Sequence, residues 1–363
     1  MINIKRKKTF IVSMAVIGCL IFNSNLKLAA ITIDGSTRIG SFFSTIVSII
    51  GDELAFSAVT TSNLLTDALS SRMTSVKGCL ADPFVHAIYS HSQNNIASGC
   101  SYKDDAYGLI LGADHVWAFA NEKYFRLGTA LGYMNETPIS FEDFSGIVRA
   151  FNAPHNIDPG KFNIGSKQDI YAVRLFGAYE SFDDKCLKTN FGVIFGYNYG
   201  KDRFAVFKSH SLSLRVESIK NLYAYNGYQF GLWLQSDYSY ILQYADSSKT
   251  PSIIDFGFGF AHSFLATVVG LNIEKEVFKH VDKKLTLSLK TGWECRVMQH
   301  TDADFDFAFP FVDVDGLFKL KYPRRNAAIV SFRALQKLNN HWNIVGSYSA
   351  RFNKNISIHD LSC

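Results

Sequence analysis

From Pro83 to the end of the chain, apolar and polar residues alternate with a period of two. The segment Lys185 to Gly200 is the plainest case. One face carries Leu187, Thr189, Phe191, Val193, Phe195, Tyr197 and Tyr199; the other carries Lys188, Asn190, Gly192, Ile194, Gly196 and Asn198. Lys284 to Val297 repeats the pattern, with Leu285, Leu287, Leu289, Thr291 and Trp293 opposed by Thr286, Ser288, Lys290, Gly292, Glu294 and Arg296. Phe125 to Tyr133 and Tyr171 to Glu180 follow it too. The spacing predicts twelve strands near 83–92, 104–120, 123–135, 167–181, 185–199, 219–234, 237–245, 262–277, 284–297, 326–336, 341–352 and 355–363. Many runs have the about 9–11 residues that a tilted membrane strand needs. Aromatics recur near strand ends, at Trp117, Phe119, Tyr197, Tyr199, Trp293, Trp342 and Phe352, where interfacial girdles form.

The connections have their own parity. Short polar turns are expected at Asn121-Glu122, Asp183-Asp184, Ser236-Asp237, Val281-Asp282 and Asn339-Asn340. Long connections are expected at 93–103, 136–166, 200–218, 246–261 and 298–325. Short turns at one end and long loops at the other are the asymmetry of an outer-membrane barrel. The predicted fold class is therefore all-β: a transmembrane antiparallel β-barrel of about twelve strands over 79–363.

Ahead of the strands the period is that of a helix. Ser41 to Met73 contains no proline and one glycine, Gly51, and Gly78 follows as a stop, so a helix is expected over 41–75. Its second half is rich in Ser57, Ala58, Thr60, Thr61, Ser62, Thr66, Ala68, Ser70 and Ser71, a surface suited to a polar confined channel rather than a greasy core. Residues 1–30 read as a secretory signal: Lys5 to Lys8 form the basic head, Thr9 to Phe22 is uncharged and apolar, and Ala29-Ala30 gives a small-residue exit. Ile31 to Gly40 is then a short N-terminal segment.

Composition narrows the reading. Of 363 residues, 14% are aromatic and only 19% charged, and with the period of two running to the end of the chain a helical membrane protein is not expected. The net charge of +5 is spread along the chain, with no basic stripe interleaved with aromatics, so nucleic acid is not an expected partner. None of the six cysteines falls in a metal-ligand spacing; Cys79 and Cys100 flank one strand, and a disulfide or free thiols both fit that pattern.

Candidate chemistry is thin. Asp114 and His115 are strand neighbours on opposite faces and form no dyad. His210 and Ser211 have no evident third partner. His300, Asp302, Asp304 and Asp306 resemble a Ca²⁺ loop but lack its glycine and distal Glu, which favours a solvated acidic loop. No catalytic, metal or cofactor site is expected, and the chain is not read as an enzyme.

A signal peptide, a long helix ending in Leu69-Ser70-Ser71-Arg72 and a twelve-strand barrel together resemble the autotransporter translocator domain. Tyr107-Gly108-Leu109-Ile110-Leu111-Gly112-Ala113-Asp114 and Leu127-Gly128-Thr129-Ala130-Leu131-Gly132-Tyr133 resemble its second and third strands; Arg333, Tyr348 and Arg351 resemble its closing strands. The resemblance spans residues 41–363, and a relationship to chlamydial polymorphic membrane proteins fits it. It implies a helix threading the lumen of a barrel in outer-membrane lipid, inserted with periplasmic chaperones and the barrel-assembly machinery, as a monomer. The implied lumen is mainly basic, with Arg126, Arg174, Lys290, Arg296, Arg333 and Arg351, and the helix offers Asp52, Glu53 and Asp67, which would hold it as a plug. Self-cleavage at Asn63, the one Asn in that helix, is disfavoured because Ile31 to Gly40 leaves almost no passenger to release. The chain also departs from the family in ending Asp360-Leu361-Ser362-Cys363 rather than on an aromatic. The alternative reading is a free-standing surface barrel, a porin or an adhesin with a host surface receptor at its long loops.

Overall fold

A computed structural model describes residues 59, 61–70, 72–73, 82–95, 101–119, 122–141, 168–183, 187–201, 205–247, 255–280, 283–309, 312–318, 326–338, 343–353 and 356–363. The strands are β1 (Asp82–Asn95), β2 (Ser101–Phe119), β3 (Lys123–Phe141), β4 (Gln168–Asp183), β5 (Leu187–Lys201), β6 (Ala205–Tyr225) and β7 (Tyr228–Ser247). They continue as β8 (Asp255–His280), β9 (Lys283–Phe309), β10 (Val312–Phe318), β11 (Asn326–Lys337), β12 (Asn343–Phe352) and β13 (Ile356–Ser362). Residues 59, 61–70 and 72–73 are helical and form α1.

All pairings are antiparallel, and twelve of the thirteen strands close into a ring. β1 pairs with both β2 and β13, while β9 passes its ladder to β11. At the closing seam Ala87 N donates to the Cys363 carbonyl at 2.7 Å and Cys363 N donates back to Ala87 at 2.9 Å. Closure leaves no long run of unpaired backbone groups for hydrocarbon to meet, the condition for a sheet to live in lipid. β10 stands outside the ring and pairs only with the far end of β9.

The period of two sorts side chains as a bilayer requires. On the outer surface Leu109, Leu111, Leu127, Leu131, Val173, Leu175 and Phe195 are exposed. Aromatic rows bound them. Trp117, Phe125, Tyr179 and Phe191 lie opposite one another in successive ladders at the short-turn end, and Tyr133, Tyr171 and Tyr199 do so at the loop end. Tyr171 and Tyr179 are eight residues apart on β4, about 26 Å along a strand, close to the roughly 25 Å height of an outer-membrane apolar band.

Three parts of the predicted layout are corrected. First, the expected long connection 200–218 is strand: β6 begins at Ala205. The turn after it is Asn226-Gly227, both with positive φ (48° and 80°) as a tight hairpin needs. Ser236 and Asp237, expected to turn, lie mid-ladder on β7 opposite Val216 and Arg215. The expected strands at 219–234 and 237–245 are thus a fragment straddling the β6–β7 hairpin and the rest of β7. Second, β9 runs on to Phe309 and β10 follows, so most of the expected loop 298–325 is a sheet. Third, the lumen is not uniformly polar. The signal segment 1–30, the segment 31–40, Cys79, Cys100 and the helix over 41–58 lie outside the described residues.

Candidate lumen site

α1 lies inside the barrel, and its composition divides the lumen in two. Leu64, Leu65, Ala68, Leu69 and Met73 recur at helical spacing and pack against Phe84, Ile88, Ile110, Ala130, Met134, Ile170, Phe176 and Ile194, the inward residues of β1 to β5. Close approach is possible because the facing wall is small. A Cβ on Gly132 would stand 3.5 Å from Leu65, and one on Gly192 would meet Met73 Cε at 2.9 Å. On β4 inward Ile170, Ala172, Phe176 and Ala178 alternate with outward Tyr171, Val173, Leu175 and Tyr179, so both faces are largely apolar there and the dry half of the lumen is hard to see from periodicity.

The other half is polar. Asp67 accepts from Arg215 Nη2 at 2.6 Å and from Arg351 Nη2 at 2.9 Å, joining α1 to β6 and to β12 on either side. Arg215 also holds Asp237 of β7 at 2.5 Å, and Arg351 approaches Glu294 of β9 at 3.6 Å. Lys290 pairs with Glu217, and Arg296 donates to Glu294 at 3.2 Å. A cavity of about 140 Å³ runs between α1 and this wall, lined by Asp67, Arg215, Glu217, Lys290, Arg333 and Arg351 among others. It has room for several waters.

At the short-turn end the polarity reverses: the helix supplies the cation. Arg72 donates to Asp114 at 2.8 Å and Arg126 donates to the same carboxylate at 2.9 Å, with Asp114 fully buried between them. Asp82 lies 3.8 Å from Arg72. Toward the loop end Thr61 donates to Glu136 at 3.2 Å. The N-terminal end of α1 therefore faces the loops, and its C-terminal end faces the turns.

The lumen residues expected from sequence divide accordingly. Asp67 and Arg351 meet directly. Arg126 reaches a wall carboxylate that the helix also uses. Lys290 and Arg296 are paired within the wall. Arg174 is buried and donates to the carbonyls of Val173 and Tyr197 at 3.0 and 3.1 Å rather than to Asp67, the one described helix carboxylate. Arg333 lines the cavity. Asp52 and Glu53 lie outside the described residues. Arg72, Arg215, Glu217 and Asp237 are lumen residues beyond those expected from the sequence. The last three sit in the stretch taken for a loop and a turn, although inward Ser209, Ser211 and Ser213 alternating with His210, Leu212 and Leu214 signal a strand there. Among the described residues no cluster of His, Cys, Asp or Glu could hold a metal ion.

No family model matches the sequence, and no curated protein matches it either. The fold does have solved counterparts. The translocator domain of the autotransporter NalP from Neisseria meningitidis superposes with a TM-score of 0.57 at 11% identity, over 87% of this chain and 97% of that one. The β domain of the Bordetella autotransporter BrkA gives 0.48 at 11% identity over 78% and 98%. The transport unit of AIDA-I from Escherichia coli gives 0.45 at 10% identity over 84% and 96%. The closed ring of twelve antiparallel strands has the fold of an autotransporter translocator domain.

Proposed function

We propose that this chain is an outer-membrane translocator of autotransporter type, delivered to the periplasm by the signal in residues 1–30 and closed by its own helix. In this reading the short turns are periplasmic, the loops face the outside, and α1 threads from the exterior to the periplasm as the end of an exported passenger does. Chaperones and the barrel-assembly machinery are its partners in insertion. The observation that carries the reading is Asp67, gripped by Arg215 and Arg351 from two sides of the lumen while the opposite helix face packs dry against β1 to β5. Such a contact fixes both the height and the rotation of the helix.

The test is conductance in planar bilayers. The intact chain is expected to pass little current, and deletion of 41–72 to raise it strongly. Equal conductance for the two would dismiss the plug. A large steady current from the intact chain would favour the porin reading instead.

A further inference from the structure

On the outer surface of β5 and β6 a pair of cations stands above an apolar track. Lys208 of β6 lies opposite Tyr199 of β5 and Tyr244 of β7, so it continues the row Tyr133, Tyr171, Tyr199 at the loop end. Lys201 lies two residues beyond Tyr199 towards the loops, opposite Val206, which makes it the diagonal neighbour of Lys208 on the same face. Such neighbours are about 7–8 Å apart, within reach of long side chains. Both lysines are exposed, and neither has an ion pair among the described residues. Acidic residues stand at the margins of the patch. Asp169 of β4 accepts from Tyr133 Oη at 2.7 Å and from Asn135 Nδ2 at 2.9 Å, and Asp246 of β7 lies opposite Val206. Below the lysines the same two strands present Tyr197 with His210, Phe195 with Leu212, Val193 with Leu214 and Phe191 with Val216. The ring of His210 rests on Tyr197, centroid to centroid 5.1 Å. The track from Lys208 to Val216 is about 26 Å long. Elsewhere at the loop end outward histidines are matched by carboxylates, His91 by Asp105 and His300 by Asp302, each at 2.8 Å.

We propose that this face binds a membrane lipid with a phosphomonoester headgroup, held by Lys201 and Lys208 with its acyl chains along Phe195, Leu212, Val193 and Leu214. Three observations select that occupant. The track is part of the outward apolar belt, so what lies against it comes from the bilayer. A phosphomonoester carries a charge of about −1.5 to −2 at neutral pH, which two adjacent ammonium groups balance and a zwitterionic head does not require. The order along the strands is cation, tyrosine, then aliphatic side chains, which is the order of an anionic lipid from head to tail, with the aromatic rings at headgroup level. Lysine serves here as a point charge on a flexible stem, so two of them can close on one phosphate without a fixed bidentate geometry. The orientation proposed above makes this a lipid of the outer leaflet. The site rests on that reading only for the leaflet, and on neither the plug nor export.

Native mass spectrometry of the full-length chain, released from phosphatidylcholine nanodiscs doped with phosphatidic acid, tests it. Only refolded protein that migrates faster unboiled than boiled is used. The parent is expected to retain phosphatidic acid in preference to phosphatidylcholine and to phosphatidylglycerol, whose phosphate is a diester. The double variant Lys201→Gln, Lys208→Gln is expected to retain it about 30-fold more weakly. The control Lys123→Gln, Lys220→Gln, which removes two outward lysines of the short-turn end, is expected to behave as the parent. Unchanged retention in the first variant, or an equal loss in the control, overturns the proposal. So does displacement of the lipid by inorganic phosphate, the mark of a free-anion site, or equal retention of phosphatidylcholine. None of these readouts uses conductance, so a failed plug and a failed lipid site are told apart.

Discussion

Replacing Asp67 by Asn removes the one described helix carboxylate while keeping its size. The change breaks charge-assisted contacts at 2.6 and 2.9 Å to two guanidiniums that are 18% and 15% exposed. Removing one partner of a buried pair typically costs about 3–5 kcal/mol, largely because the remaining charge is stranded. Here neither cation is stranded, since Arg215 keeps Asp237 at 2.5 Å and Arg351 keeps Glu294 at 3.6 Å. The asparagine oxygen also still accepts a neutral hydrogen bond. The low end applies, about 3 kcal/mol, or about 100-fold in the equilibrium between docked and undocked helix. Because the dry face formed by Leu64, Leu65 and Leu69 is untouched, the helix stays mostly in place. The expected outcome is therefore not a permanently open pore but a rise of about 100-fold in the frequency of open events in single-channel recordings. Combining Asp67→Asn with Arg351→Gln should cost less than the sum of the two changes, as residues in direct contact do. An Asp67→Asn barrel that folds normally and opens no more often than the parent would refute the reasoning.

Other consequences concern folding and insertion. Asp114→Asn takes the shared carboxylate from Arg72 and Arg126, which are 10% and 5% exposed; it should cost about 3–5 kcal/mol and exceed the cost of Arg72→Gln, read as the temperature at which the fast gel band is lost. Gly227→Val puts a β-branched residue at φ +80° in the β6–β7 turn and should cost at least about 1–2 kcal/mol and slow refolding, measured by the growth of the fast band with time. Leu175→Arg, at an outward position 57% exposed and midway between the girdle residues Tyr171 and Tyr179, should destabilise folding into lipid vesicles by about 2–4 kcal/mol, with a smaller effect in micelles.

How far the sequence carries can be judged from particular residues. Strands such as β5 and the inner part of β9 are plain because one face is Leu, Phe and Trp while the other is Lys, Asn and Gly. β6 escapes notice because its inward row is serine and its outward row mixes Lys208 and His210 with Leu212 and Leu214, so neither face is uniformly apolar. With β6 missed, the Asn226-Gly227 turn is read through, and Arg215, Glu217 and Asp237 drop out of the lumen. The outer part of β8 and β9 is hidden differently. Aspartates and glycines alternating with phenylalanines look like a solvated loop when the acids are counted, and like a two-faced sheet only when the partner strand is known. Arg72 reads as the end of a helix, but its role depends on Asp114, forty-two residues away, and no local pattern announces that pairing.

The most direct test of the whole account is hydrogen exchange of the intact chain in lipid nanodiscs, followed by mass spectrometry. Amides of 61–73 are predicted to be protected to a degree approaching those of the strands β3 and β4 against which the helix packs, and Asp67→Asn should lower that protection about 100-fold without touching the strands. Exchange of 61–73 at the rate of an unstructured peptide, with the strands fully protected, would mean that the helix does not occupy the lumen.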